Sequence, residues 1–198
     1  MKQNRENPFF ETYRTPFGTP PFDQIETEQY EPAFDEGIWQ LDEEVRAIAD
    51  NTELPTFENT IIALERSGKL LDKVISAFFN VLNAEADDEM MDISQRVSPK
   101  LSESSNNIYL NEQLFARVKS VYDRKDELHL PMEDARLLEK TFEAFCARGA
   151  ALGPEEKEKY RKLSSELSLL SLTFDQNALK DKNRYELLLT CLLYTSDA

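Results

Sequence analysis

The chain has 198 residues, 40% of them hydrophobic, which is enough for one sizeable core and too apolar for a disordered segment. Asp and Glu outnumber Lys and Arg 38 to 23, and the resulting net charge of -15 repels nucleic acid and anionic lipid, so neither is expected as a partner. Cys146 and Cys191 form no disulfide framework or metal-spaced pair, and Met1 to Glu6 is polar with no apolar run behind it, a pattern that predicts a cytoplasmic protein without signal peptide or membrane anchor.

Residues 1–26 read as an extended arm. Pro8, Pro16, Pro20 and Pro21 with Gly18 block helix, and Phe9, Phe10, Phe17 and Phe22 are the expected anchors that hold the arm against the rest of the fold. A helical domain is expected over 27–190. Thr27 is the predicted N-cap of its first helix, in which Tyr30, Phe34, Leu41, Val45 and Ile48 recur at helical spacing, with Ile38 filling the gap, to an end near Asn51.

Thr56, ahead of Phe57 and Glu58, caps a second start, and Glu58 suits the positive end of a helix. Ile61, Leu64, Leu71 and Val74 continue that stripe to about residue 84. Ser67 and Gly68 interrupt it, so the run is two helices or one with a weak joint. Met91, Ile93, Val97 and Leu101 predict a helix over 87–105, with Pro99 expected to start a new turn or to kink the old one. Leu114, Val118 and Tyr122 mark a helix over 111–125, and Leu138, Phe142 and Phe145 mark another from Pro131 to Arg148, stopped by Gly149. Gly153 and Pro154 open the last helix, whose Tyr160, Leu163, Leu167, Leu170 and Phe174 form a stripe expected to be buried inside an antiparallel bundle. With no βαβ alternation and no repeat, the fold class is all-α.

The search for chemistry is mostly negative. Hydrolytic zinc sites need two or three imidazoles, and the sequence has His129 alone, preceded by Asp126 and Glu127 and best read as a solvent-exposed histidine at a helix end. Cys146, two residues before Arg148, has little to activate it as a nucleophile and reads as a core or half-buried thiol. Glu155 with Glu156, and Asp87 with Asp88, sit at helix starts where they complement the macrodipole. Five glycines spread along the chain make no phosphate loop. No catalytic, cofactor-binding or metal-ligating residue is assigned.

Several segments carry a resemblance: Pro20-Pro21-Phe22-Asp23-Gln24-Ile25, Pro55-Thr56-Phe57-Glu58-Asn59-Thr60-Ile61, and Leu64-Glu65-Arg66-Ser67-Gly68. Ser98-Pro99-Lys100-Leu101, Ile108-Tyr109-Leu110-Asn111, Leu114-Phe115 with Arg117-Val118, and Leu170-Ser171-Leu172-Thr173-Phe174 with Gln176-Asn177 add to it. In these the chain resembles the N-terminal helical region of the thimet oligopeptidase-like zinc metallopeptidases, in particular the bacterial peptidyl-dipeptidases, from Asn7 to about Thr190. The resemblance implies a helical bundle forming one wall of a deep peptidase channel. It also implies a parent enzyme that removes dipeptides from the carboxyl end of short peptides, with zinc, its HExxH helix and its glutamate ligand in a downstream catalytic region. No position here matches those motifs, so the chain itself is expected to bind no zinc and to be inactive alone. Residues 191–198 depart from the family and look like a non-native tail, which would make the sequence a truncated piece. An oligopeptidase of the same family and a stand-alone helical interaction module are the alternatives. The Pro55 to Ile61 motif is explained by capping and packing rather than by function.

Overall fold

A computed structural model describes residues 7–85 and 87–184; the expected tail at 191–198, Cys191 included, and the boundary at residue 190 lie outside them. Among the described residues there are helices and turns and no strand, in agreement with the all-α reading.

The Pro-rich arm precedes the helices as expected, with extended residues such as Glu11, Thr15, Thr19 and Ile25 linking short turns. It is a series of 3-10 turns, Pro8–Phe10, Pro16–Gly18, Phe22–Gln24 and Thr27–Gln29. Proline's fixed φ suits the first position of such a turn, where an N–H has no partner to lose, and Pro8 and Pro16 each start one. Two of the four expected anchors fail. Phe9 is buried and Phe10 half-buried, but Phe22 is 51% exposed and Phe17 is wholly exposed. Phe17 sits at φ 60° inside a turn tied by the Thr15 hydroxyl to the Thr19 carbonyl and by the Thr19 hydroxyl to the Pro16 carbonyl. What docks the arm is Phe9 together with a cation. The Lys73 ammonium donates to the carbonyls of Phe9 (2.8 Å) and Glu11 (2.6 Å) and stands 3.7 Å from the centre of the Tyr13 ring. Rings alone could not have satisfied those carbonyls.

Helix α1 spans Tyr30–Ala49. Thr27 is not its cap: Glu26 closes a capping box with Gln29 around the 3-10 turn that runs into the helix, and the Gln29 Oε1 accepts from the Glu26 N–H at 2.9 Å. The predicted stripe is realised, with Tyr30, Phe34, Val45 and Ile48 buried. Gly37 lets the next long helix come close, since a Cβ there would lie 3.0 Å from the Leu71 Cα.

After α1 comes a π-helical turn, Phe57–Ile62, which continues as the short α2, Ala63–Glu65. Thr56 caps it as expected: its hydroxyl accepts from the Asn59 N–H at 3.0 Å, and the Asn59 Oδ1 accepts in return from the Thr56 N–H at 2.8 Å. The weak joint is a true break. Gly68 adopts φ 74°, a conformation that side-chain-bearing residues avoid, and its N–H donates to the Glu44 carboxylate at 2.8 Å. Helix α3, Lys69–Glu85, then returns along α1. It runs antiparallel, because Glu44 meets Gly68 at one end while Tyr30 meets Phe78 at the other.

Helix α4 runs from Asp88 to Tyr109 as one element with Pro99 inside it, four residues longer than the expected end near 105. Pro99 leaves the Gln95 carbonyl without its helical donor, a cost on the order of 3 kcal/mol. Packing offsets this: Val97 is fully buried beside it, and the Ser98 hydroxyl donates to the Ser94 carbonyl at 2.7 Å. Helix α4 lies parallel to α1, joined by Glu31 to Arg96, Asp35 to Lys100 and Asp42 to Ser104. Helices α5, Glu112–Tyr122, and α6, Met132–Ala147, form an antiparallel hairpin whose Phe115, Tyr122, Phe142 and Phe145 rings stack.

Two cores result. One joins the arm to α1, α3 and α4 around Phe34, Val74 and Phe78; the other joins the end of α1, the π turn, α5 and α6 around Ile61, Leu114 and Phe145. Leu41 packs against both.

Helix α7, Pro154–Arg184, overturns the expectation placed on it. Leu163, Leu167, Leu170 and Phe174 are 66%, 64%, 61% and 72% exposed, so the apolar stripe faces solvent. The helix docks antiparallel on α4 through its other, polar face. Asn106 and Ser164 exchange bonds at 2.8 and 3.2 Å, Arg161 donates to Asn107 at 2.9 Å, and the buried Gln176 bonds Gln95, the Met91 carbonyl and the Ser94 hydroxyl. Buried amides satisfied on every side hold as well as apolar contact, which periodicity alone does not reveal.

Candidate functional site

The residues weighed for chemistry are scattered. His129 is exposed at φ 47° in the turn between α5 and α6, with a left-handed backbone that ends the turn. Cys146 is exposed and not the core or half-buried thiol expected. Its neighbour Phe145 takes the inward position, and Arg148 turns away to the Tyr109 ring, 4.2 Å from its centre, and to the Ser105 hydroxyl. Asp87 caps α4 by accepting from the Met90 N–H at 2.8 Å, and Glu156 accepts from the Gly153 N–H at 3.1 Å ahead of α7, the structural work expected of both acidic pairs. Among the described residues no group of three or more His, Cys, Asp and Glu is placed to hold a metal ion, and no helix is long and apolar enough to cross a membrane.

The Pro55 to Ile61 motif is the densest polar constellation, and its hub was not picked out from sequence. Arg117, on α5, is buried; its guanidinium donates to the carbonyls of Asn51 (2.5 Å) and Glu53 (3.1 Å), to the Asn59 Oδ1 (3.0 Å) and to the Thr60 hydroxyl (3.3 Å). Arg124 adds a bond to the Pro55 carbonyl. The two arginines thus pin the loop after α1 and the start of the π turn to α5. Asn59 serves the cap and the guanidinium together. The acceptors of this knot are used internally and it acts as a joint, although the buried Arg117 Nε finds no hydrogen-bond partner in it. A signal was present: Leu114 and Val121 are buried, and Arg117 shares their face at spacings of three and four.

Shifted ionisations also mark joints. Arg96, hydrogen-bonded to Glu31 across α1 and α4, holds that carboxyl below the usual range. Burial pushes the Lys73 ammonium down, and burial followed by the nearby Tyr30 pushes the Tyr13 hydroxyl up to about 12.

The surface best suited to engage something else lies along α7. On the side of α7 away from the exposed stripe, α3 and α7 flank a groove of about 440 Å³ lined by Phe79, Leu82, Leu172, Gln176 and Leu179. Its walls are apolar, with the amides of Asn83 and Gln176 and the charged Asp175 and Lys182 at their edges.

No family model matches the chain. Dipeptidyl carboxypeptidase of Escherichia coli (strain K12) is 43% identical to it over 173 residues, which cover 87% of this chain and 25% of that protein. Dipeptidyl carboxypeptidase of Salmonella typhimurium is 39% identical over the same shares of both chains. Thimet-like oligopeptidase of Dictyostelium discoideum is 27% identical over 161 residues, 79% of this chain and 24% of that protein. The chain therefore spans about a quarter of the length of the curated relatives it matches.

Proposed function

We propose that this chain, a homologue of the dipeptidyl carboxypeptidases and thimet-like oligopeptidases, is the helical N-terminal part of a zinc metallopeptidase that removes dipeptides from the carboxyl end of short peptides. The observation that carries the reading is 43% identity to a dipeptidyl carboxypeptidase across 87% of the chain. The lower identity to oligopeptidase A of Escherichia coli, 23%, favours peptidyl-dipeptidase over oligopeptidase specificity.

The donor set of the described residues does not fit zinc. Its one imidazole is an exposed turn residue, and no carboxylates converge on it among the described residues. The proposal accordingly places metal, ligands and general base in polypeptide downstream, and no step of the hydrolysis is assigned to a residue here. The part played by residues 27–190 is a rigid wall. A channel bounded by packed helices admits an unstructured peptide and rejects a folded protein, and a wall that does not yield keeps the peptide aligned with the metal. The rigidity has named sources: the Arg117 knot, the close α1–α3 approach at Gly37, and the Lys73 clamp on the arm. The arm is proposed as residues 1–26, and the cytoplasm as the location.

Reading the genomic DNA past codon 190 tests the proposal. A frame that continues for several hundred codons and encodes HExxH is expected. An authentic stop codon at that point would favour a stand-alone helical module in place of the peptidase.

A further inference from the structure

We propose that the face of α7 formed by Leu163, Leu167, Leu170 and Phe174 is an intramolecular seam, onto which the downstream polypeptide of the parent chain docks an uncharged, apolar helical surface. The inference rests on the reading of this chain as part of a longer peptidase.

The four side chains fall within about 60° of one another at 100° per residue, while the face seated on α4 lies about 140° away. Helix α7 is thus already held by its polar side through Ser164, Arg161 and Gln176, and its most hydrophobic side is left over. Between Leu163 and Phe174 the sequence carries one charge, Glu166, although the chain as a whole has a net charge of -15. Depletion of charge at the centre of an apolar patch is the composition of a buried contact and not of a solvated face.

Two arguments select a tethered occupant over a second copy. From the transfer area of Leu and Phe side chains, the four residues leave roughly 300–450 Å² of apolar surface uncovered. A free-standing interface buries about 800 Å² per partner, so this stripe is too small to hold two separate molecules. A segment of the same polypeptide needs far less, because its effective concentration replaces lost association entropy. Two copies would also bring together two chains each carrying -15. The relatives supply the length required: three quarters of each lies outside the part matched here.

Maleimide labelling of the variants L167C and L170C, read at that position by peptide mass spectrometry, tests the seam in the 198-residue chain and in the parent polypeptide translated from the continuing genomic frame. The expected result is fast labelling in the 198-residue chain and labelling slowed about tenfold or more in the parent, with E127C in the α5–α6 turn equally reactive in both. Hydrolysis of a blocked tetrapeptide by the same parent preparation separates the two claims. Equal labelling in an active parent overturns the seam and leaves the peptidase reading standing; protection in a parent that hydrolyses nothing supports the seam and contradicts the peptidase reading. Labelling of the short chain that slows with its own concentration, with a dimer in sedimentation, assigns the face to a second copy and overturns the proposal. A genomic frame without downstream polypeptide overturns it as well.

Discussion

At the scale of single residues, stability concentrates in charged side chains that sequence reasoning assigns to the surface. Arg117 is the main case. Replacing it with Ala strands the Asn51 and Glu53 carbonyls and the Asn59 side chain, so Arg117→Ala is expected to cost about 2–4 kcal/mol and to lower the melting temperature by roughly 5–15 °C. Arg117→Lys should recover less than half of that, because a single ammonium cannot span four acceptors. A loss below about 1 kcal/mol in urea unfolding would contradict the knot. Glu31 gives a pH test. Its carboxyl is held below the usual range in the folded state, chiefly by the Arg96 hydrogen bond, so its stabilising contribution is complete above the unfolded value and is lost as pH falls through the lowered folded value. Glu31→Gln should therefore lose less stability than the unmodified chain between about pH 5 and about pH 3. Parallel pH profiles for the two proteins would show that Glu31 is not coupled to Arg96. The cap at Thr56 was legible in the sequence because capping is local chemistry over three residues. The arginine knot was not, since its acceptors lie more than fifty positions from Arg117.

At the scale of elements, hydrophobic periodicity located every long helix but misjudged one face. On α1 and α5 the stripe is the buried side, as Phe34 and Leu114 show. On α7 the same pattern is exposed, because Gln176, Ser164 and Arg161 meet complementary groups on α4 and leave the leucines outside. Periodicity reports that a face will be covered without naming what covers it. Leu167→Gln in the 198-residue chain should accordingly change stability by less than about 0.5 kcal/mol, whereas Leu114→Ala should cost about 2–5 kcal/mol. Comparable losses for the two in urea unfolding would mean that α7 is packed by its leucines after all. Pro99 taught a second lesson about elements. A proline reads as a boundary in isolation, yet α4 passes through it because neighbours on both sides, α1 and α7, hold the helix in register.

At the scale of the whole molecule, the chain combines two cores and hydrogen-bonded joints, and among its described residues no group of three or more His, Cys, Asp and Glu is placed to hold a metal ion. One histidine is too few for a hydrolytic zinc site, and the chain spans about a quarter of the length of the relatives it matches, which is why the proposed reading puts the reacting groups elsewhere. The proposed division of labour is that this part shapes and restricts while another part reacts. Incubating the purified 198-residue chain with equimolar zinc and a blocked tetrapeptide, and following dipeptide release by chromatography, tests that division directly. No release above the buffer control is predicted; release that a chelator abolishes and added zinc restores would contradict it.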